Sequence, residues 1–272
     1  MSNTTQEKQE IQEYLEYTFN KNNLNKRLKE IFDDDSLKNV FKANNIDPDF
    51  GVKVICKMAL FKRADVPTLV GSVMGYYDNN GQRTVDEIQK IVEIGFLKWE
   101  NYQFITQFTL EDKVQAELDA FQYPLPMVIE PKKITRNCST GYCNWNTSLV
   151  LKRKKYIHNA DLNRDHINRV NKIAWELDMD TARTIKAKCK DIDKRKDGET
   201  EDEFNKRKKA WQKYCKTTMK VMDLLVSTGN TLFLTHAYDK RGRIYCRGYH
   251  VNYQGMSWNK AVLQFKNKEF LK

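Results

Sequence analysis

The chain has 272 residues and a net charge of +11, with 40% hydrophobic and 31% charged residues. These proportions are typical of a globular protein, and the longest apolar runs fall short of the roughly 18 residues of a membrane span, which excludes a membrane protein. Residues 1–20 are polar and acidic, unlike a signal peptide. We therefore expect a reducing compartment, in which the six cysteines are small buried groups.

The positive charge is concentrated in the second half of the chain. Residues 1–130 hold 15 Lys and Arg against 21 Asp and Glu, whereas residues 131–272 hold 32 against 15. A half this basic attracts polyanions, and nucleic acid is the commonest such partner for a soluble protein. The alternative is a positive surface that only keeps the protein in solution.

An N-terminal helical domain is predicted for residues 1–122. Apolar spacing indicates two short amphipathic helices within residues 5–33. The acidic run Asp33–Ser36 precedes an apolar residue and is predicted to cap the next helix, in preference to binding a cation.

Residues 47–110 are predicted to contain three helices and a β-hairpin. The third helix, over residues 84–95, has a capping box of Thr84 and Glu87, and Glu100-Asn101 separates two β-rich runs. This is the element order of a winged-helix domain. Because the third helix is acidic where DNA-reading helices are basic, a scaffold or protein-docking role is favoured, with DNA binding as the alternative.

An extended connector is predicted for residues 123–160. The prolines of Tyr123-Pro124-Leu125-Pro126 disfavour helix and place a domain boundary there. Cys138 and Cys143 lie five residues apart, with no second Cys or His pair at ligand spacing, so a zinc site is not favoured.

Residues 161–230 are predicted to form a helical hairpin. Helical periodicity runs through residues 163–190, and a second helix starts at a capping box of Thr200 and Glu203 and stops before Gly229. One face of this second helix is apolar. The other side of the helix is basic and is either a solvated surface or a row of phosphate ligands, formed by Lys206, Arg207, Lys208, Lys209, Lys213, Lys216 and Lys220.

The tail, residues 231–272, is predicted to contain a hairpin that turns at Asp239–Gly242, then a loop at Gln254-Gly255 and a helix that starts at Ser257. The last apolar run ends near Phe270 without a closing element. We therefore expect the fold to be unfinished at Lys272.

The hairpin motif resembles a known family. Asp239-Lys240-Arg241-Gly242-Arg243 followed by Ile244-Tyr245 resembles the D-x-x-G-R motif in the palm of bacteriophage and mitochondrial single-subunit DNA-dependent RNA polymerases. Residues 252–255 and Lys260 resemble the family's N-P-Q-G segment and the lysine after it, although Tyr253 replaces the proline and one residue is inserted. Upstream, Pro126–Pro131, Gly141-Tyr142 and Asn168–Trp175 resemble the segments before the thumb.

This resemblance covers residues 123–272 and implies an α+β, mainly helical part of a right-hand polymerase. It implies a thumb over residues 161–230 and the first hairpin of the palm over residues 231–272. The predicted N-terminal helical domain, residues 1–122, corresponds to the family's N-terminal domain by position only. The family's metal-binding aspartates and nucleotide-binding fingers follow the matched segments and have no counterpart in this chain. The chain is accordingly similar to the smaller subunit of the two-subunit RNA polymerase of N-four-like phages.

For activity, the resemblance implies a subunit that is inactive alone, in the cytoplasm of an infected bacterial host. A larger partner subunit would carry palm and fingers and hold most of the Mg²⁺ and the NTPs, and the assembled enzyme would bind a DNA template and an RNA product. No membrane partner is expected. Two other classes stay open: a nucleic-acid-binding transcription regulator with a polymerase-derived basic domain, and a toxin-like or structural interaction protein.

Individual roles follow from the same resemblance. Arg241 and Arg243 are expected at phosphates and at the minor groove of the RNA–DNA hybrid, with Asp239 as their ion-pair partner in preference to a metal ligand. Tyr245 would contact nucleic acid, with a half-buried strand tyrosine as the alternative, and Trp211 and Tyr214 would pack within the thumb. The other expected nucleic-acid-binding residues are Lys240, Gly242, Gln254, Lys260, Lys206, Arg207, Lys208, Lys209 and Lys213.

Overall fold

The computed structural model describes residues 5–19, 21–121, 123–151, 161–185 and 192–268. Within these ranges the fold is mixed α+β, about half helical, with small sheets. The helices are α1 (Thr5–Phe19), α2 (Lys21–Phe32), α3 (Asp35–Ala43), α4 (Pro48–Phe61), α5 (Val66–Val73), α6 (Gly81–Glu93), α7 (Asp112–Phe121), α8 (Arg164–Asn171), α9 (Met179–Thr184), α10 (Glu201–Ser227) and α11 (Ser257–Val262). The strands are β1 (Arg63–Asp65), β2 (Leu97–Glu100), β3 (Gln103–Thr106), β4 (Ala174–Leu177), β5 (Leu232–Phe233), β6 (His236–Tyr238), β7 (Ile244–Cys246) and β8 (Leu263–Phe265).

The chain divides into two compact units. One is the continuous segment of residues 21–118, and the other combines residues 1–20 with residues 119–272. Parts of three predicted elements lie outside the described residues. They are residues 152–160 of the connector, residues 186–190 of the helix, including Cys189, and residues 269–272 of the palm segment.

The continuous unit contains the helices and the hairpin predicted between residues 47 and 110, with β1 added between α4 and α5. Its sheet has the order β1-β3-β2 and is antiparallel throughout, with Ala64 opposite Phe104 and Trp99 opposite the same residue on the other side. The predicted cap is confirmed, because the Asp34 carboxylate accepts from the backbone N–H groups of Ser36 and Leu37.

The predicted capping box of Thr84 and Glu87 is wrong. The helix α6 starts one turn earlier, where the Asn80 side chain accepts from the Arg83 N–H at 3.0 Å. Thr84 is fully buried and donates to the Asn80 carbonyl at 2.7 Å. Asn80 is itself a preferred cap, and it lies at the end of a turn of two left-handed residues, so the earlier start satisfies more of the backbone.

The core of the continuous unit is aromatic and aliphatic. Its fully buried side chains include Phe41, Phe50, Met58, Ile88 and Ile91. Gly51 is needed there, since a Cβ at this position would lie 2.6 Å from the Phe41 ring, so that only glycine allows α3 and α4 to pack this closely.

In the discontinuous unit, the prediction of continuous helix over residues 163–190, the first part of the predicted helical hairpin, is wrong, because a strand of a three-stranded sheet interrupts it. Periodicity predicts helix through Leu177, but residues 174–177 form β4, the centre of an antiparallel sheet of order β5-β4-β8. Trp175 and Leu177 alternate inward, and Trp175 packs on Phe265 at 4.6 Å between ring centroids. Pairing with strands distant in sequence overrides the local helical pattern.

The N-terminal helix α1 belongs to this discontinuous unit through two buried side chains. The Glu16 carboxylate accepts from the Cys143 N–H at 2.7 Å and from the Asn144 N–H at 2.6 Å. Gln12 donates to Glu16 at 2.8 Å and accepts from the Val128 N–H at 2.8 Å. These bonds tie α1 to residues more than a hundred positions away and leave the buried polar groups paired.

The long helix α10 begins as predicted at a capping box of Thr200 and Glu203 and ends at Ser227, before Gly229. Its buried residues all lie in the C-terminal half and begin at Thr217. The N-terminal half carries exposed and half-buried side chains only. The lysines of this helix are therefore exposed over about its first four turns, whereas Arg207 is half-buried.

Candidate nucleic-acid interface

The D-x-x-G-R motif lies at a tight turn between β6 and β7. The strands are antiparallel, with Tyr238 opposite Ile244, and the turn is closed by the Asp239 N–H donating to the Arg243 carbonyl at 2.8 Å. Gly242 has φ of +82°, in the left-handed region that glycine adopts at little cost. The predicted hairpin is confirmed, and residues 240–243 are exposed at its tip.

The Asp239 carboxylate organises this turn. One oxygen accepts from the backbone N–H groups of Arg241 at 2.8 Å and Arg243 at 2.9 Å, and the other accepts from Arg243 Nε at 2.8 Å. Partial burial by itself raises the pKa of Asp239, but the hydrogen bonds from Arg243 and Arg241 outweigh it and hold the pKa below its usual range. Both oxygens are occupied by donors, an arrangement that fits an ion-pair partner and does not fit a metal ligand.

The two arginines of the turn differ in their partners. Arg243 forms the ion pair with Asp239 at 2.7 Å, with its guanidinium carbon 5.5 Å from the Tyr245 ring centroid, and its side chain remains 55% exposed. The hydrogen bond to Asp239 raises the pKa of Arg243. Arg241 is exposed and donates its side chain to no other described residue. Lys240 is exposed beside it, so the tip presents three cations.

The side chain of Gln254 clamps the hairpin. Its amide accepts from the Cys246 N–H at 2.8 Å and donates to the Ile244 carbonyl at 3.0 Å, so it completes the outer edge of β7. The structure thus brings Gln254 and Tyr245, which is half-buried, to the same hairpin as the motif. Lys260 lies elsewhere, exposed on α11.

The basic residues of α10 fall into two groups. Arg207 forms an ion pair with Glu199 at 2.7 Å, which lowers the pKa of Glu199 to about 2, and Lys213 forms one with Asp119 at 2.7 Å. The remaining lysines are exposed and pair with none of the described residues: Lys206, Lys208, Lys209, Lys216 and Lys220. At 100° per residue, Lys206, Lys209, Lys213, Lys216 and Lys220 lie along one side of the helix, here called the lysine stripe.

A buried polar network contacts the β6–β7 hairpin through His236, and the sequence analysis missed it. His236 is fully buried, with Nδ1 2.8 Å from Asn171 Oδ1 and Nε2 3.0 Å from the Tyr253 hydroxyl. Burial lowers the pKa of His236 to about 4, so the ring is neutral at physiological pH. A histidine in a short strand gives no pattern of its own. The only signal was its position three residues before the motif.

Arg247 is a second residue that the sequence analysis missed. Its guanidinium donates to the carbonyls of His236 at 3.3 Å and Ser148 at 3.0 Å, and it lies 5.6 Å from the Trp145 ring centroid. Burial lowers the pKa of Arg247 to about 10, which still leaves it charged. It joins β6, β7 and the segment before residue 151, and so fixes the base of the hairpin.

Among the described residues, no group of three or more His, Cys, Asp and Glu side chains is arranged to hold a metal ion. Nor does any helix in the described ranges combine the length and apolar character needed to cross a membrane. No protein-family model matches this sequence, and no curated protein matches it either.

Proposed function

We propose that this chain is a subunit of a heterodimeric DNA-dependent RNA polymerase of the single-subunit type. In this proposal it holds the template and the RNA–DNA hybrid, while a larger partner carries the metal-binding palm and the fingers. The observation that carries the proposal is the exposed turn at residues 239–243. One carboxylate fixes its backbone, and three cations remain at its tip.

The chemistry of the turn suits phosphate. The Arg241 guanidinium presents a planar fork of N–H donors, which matches two oxygens of a phosphodiester where a lysine would offer only a point charge. Arg243 is held in one orientation by Asp239 and still exposes more than half of its side chain. A cation that is held in place in this way loses less conformational entropy on binding, which favours affinity.

The lysine stripe supports the same proposal. Its members are spaced three or four residues apart, about one helical turn, and each neutralised phosphate releases counterions from the nucleic acid. Because Lys213 and Arg207 already have carboxylate partners, the strongest phosphate ligands of α10 are expected to be the exposed lysines that pair with none of the described residues, namely Lys206, Lys208, Lys209, Lys216 and Lys220. In the proposed enzyme this helix acts as the thumb that keeps the hybrid bound.

In this proposal the chain positions nucleic acid and does not carry the chemical step. Two-metal phosphoryl transfer requires carboxylates that hold both ions about 4 Å apart. Asp239 is committed to its arginine and to two backbone N–H groups. The Mg²⁺ ions and the NTPs are accordingly assigned mainly to the partner subunit.

The test is to purify the tagged chain from infected cells and identify what accompanies it by mass spectrometry. We expect a larger protein with palm sequence, and NTP incorporation on a DNA template only when both are present. A chain that purifies alone, or that binds DNA without any polymerase, contradicts the proposal.

A substitution then tests the role of the turn. Arg241→Ala is expected to reduce RNA synthesis by the assembled pair about tenfold or more, since a hydrogen bond to a charged group contributes roughly 1.5–3 kcal/mol. Assembly should be unchanged, as measured by pull-down. Arg63→Ala, an exposed arginine on β1, is the matched control and should leave synthesis unchanged. Loss of assembly with Arg241→Ala would refute this assignment.

The second candidate is a nucleic-acid-binding transcription regulator. The exposed turn and the lysine stripe favour it equally, because both are complete within this chain and need no palm to bind phosphates. A regulator would bind DNA tightly on its own and act without a polymerase partner, so the same purification distinguishes the two.

A further inference from the structure

An open cleft of about 230 Å³ beside α10 is walled by aromatic rings. We call it the aromatic cleft, and its lining includes Tyr123, Tyr214, Tyr249, His250 and Lys213. Its volume is below the roughly 300–1,000 Å³ of pockets for drug-sized ligands, so it suits a smaller flat group.

The floor of the aromatic cleft is a tyrosine pair. The rings of Tyr123 and Tyr249 are stacked, with centroids 4.1 Å apart and planes 25° from parallel, and Tyr249 is 46% exposed. Tyr123 covers one face of the Tyr249 ring, so a base that stacks on Tyr249 has to approach the other face. A large aromatic face is thus held in place before any ligand binds, which lowers the entropic cost of stacking on it.

The ring walls are fixed, and Asp119 also lines the cleft, where its carboxylate pairs with Lys213 at 2.7 Å. The Tyr214 and His250 rings stand nearly perpendicular to Tyr249, at 82° and 78°, and Trp211 stacks on Tyr214 at 5.3 Å between centroids. His250 is 3% exposed and uses both nitrogens, with Nδ1 2.9 Å from the Thr218 hydroxyl and Nε2 donating to the Asp119 carbonyl at 3.3 Å. Burial lowers the pKa of His250, which keeps this ring neutral.

One side of the cleft follows the lysine stripe of α10, and the lining lysine there, Lys213, is paired with Asp119. Lys209 lies one turn before Lys213 in the stripe, and Lys216 lies one turn after it. A row of cations along a stacking surface is the arrangement by which proteins bind single strands, where phosphates follow the cations and unpaired bases stack on the rings. A duplex buries its base faces and cannot offer them to Tyr249.

We propose that the aromatic cleft binds an unpaired base of single-stranded DNA by stacking it on Tyr249, while Lys209 and Lys216 contact the flanking phosphates. This inference rests on the proposed function for the lysine stripe and for DNA as the ligand. Trp211 and Tyr214 are predicted to pack within the thumb and not to stack on bases, and Trp211 stacks on Tyr214 here. Tyr249, stacked on Tyr123, supplies the ring for the base.

The experiment measures binding of the full chain to labelled strands by fluorescence anisotropy. The probes are a short oligothymidylate, an abasic strand of the same length, which keeps the phosphates and lacks the bases, and an oligouridylate. Tyr249→Ala is expected to weaken oligothymidylate binding about tenfold, since stacking contributes roughly 1–3 kcal/mol per base, and to leave abasic-strand binding unchanged. Tyr249→Phe, which retains the ring, should bind like the unmodified chain.

Matched controls separate this inference from the function it rests on. Tyr102→Ala removes a tyrosine that is 86% exposed in the continuous unit and should change neither affinity. The double variant Lys209→Ala, Lys216→Ala should weaken binding to the oligothymidylate and to the abasic strand alike. The absence of any effect would contradict the phosphate-binding role of the lysine stripe while leaving the stacking result intact. The inference is overturned if Tyr249→Ala weakens binding to the oligothymidylate and to the abasic strand equally, or weakens binding to neither. It is also overturned if the unmodified chain binds neither strand or binds the oligouridylate more tightly than the oligothymidylate.

Discussion

In the motif turn at residues 239–243, the Asp239 side chain fixes the conformation of the tip. Its carboxylate bonds two backbone N–H groups and the Arg243 side chain, and these bonds depend on its negative charge. Asparagine keeps one acceptor oxygen of the same shape and removes the charge. The substitution Asp239→Asn therefore removes the charge together with one of the two acceptor oxygens.

We expect Asp239→Asn to lower the urea midpoint of unfolding at pH 7. The pKa of Asp239 is lower in the folded state than the usual value of about 3.9, so its stabilisation is fully present above that pH and is lost as the pH falls through the folded pKa. The difference between variant and unmodified chain should accordingly vanish in acid. Asp161→Asn, an exposed aspartate, serves as the control, and a difference that persists in acid would contradict the electrostatic cause.

At the scale of elements, the start of α10 is set by its cap. Thr200 accepts from the Glu203 N–H, and Glu203 accepts from the Thr200 N–H at 2.9 Å. We expect Thr200→Ala to destabilise the protein by about 1 kcal/mol, measured by urea unfolding followed by circular dichroism. Thr200→Ser keeps the hydroxyl and should retain most of the stability. Equal losses for Ala and Ser would show that the hydroxyl is not the cause.

Elements with local causes could be predicted from the sequence, whereas elements that depend on distant partners could not. The helix α10, the cap at Asp34 and the turn at residues 239–242 have local causes, namely capping side chains, apolar spacing and a glycine at positive φ, and they were predicted. β4 was not, because its strand conformation depends on partners at residues 232–233 and 263–265. Nor was the aromatic cleft, since Tyr123 and Tyr249 are far apart in the sequence and only the fold brings them together.

At the scale of the molecule, the excess positive charge lies in one unit. Residues 21–118 hold 14 Lys and Arg against 15 Asp and Glu, whereas the rest of the chain holds 33 against 21. Binding to nucleic acid should then depend on salt through the discontinuous unit alone. Helix α6, the acidic third helix of the predicted winged-helix order, belongs to the continuous unit. A docking role for this helix stays a prediction.

A triple substitution tests this. The variant has Ala in place of Lys206, Lys209 and Lys216. It should reduce the slope of log affinity for duplex DNA against log salt by about 2–3, at roughly 0.9 per phosphate contact. The matched control changes Lys26, Lys42 and Lys113, exposed lysines of the continuous unit, to Ala and should leave the slope unchanged. Equal reductions in both variants would assign binding to overall charge.

The docking of α1 has a consequence for how the protein is made. Gln12 and Glu16 bond to the backbone of residues 128, 143 and 144, which leave the ribosome long after α1 itself. The continuous unit can complete its own core first, because all its strands and core helices lie within residues 21–118. Pairing over such long sequence separations is slow, since the loop between the partners must be closed first. During synthesis α1 therefore remains undocked with its apolar face exposed, a state that a chaperone would recognise.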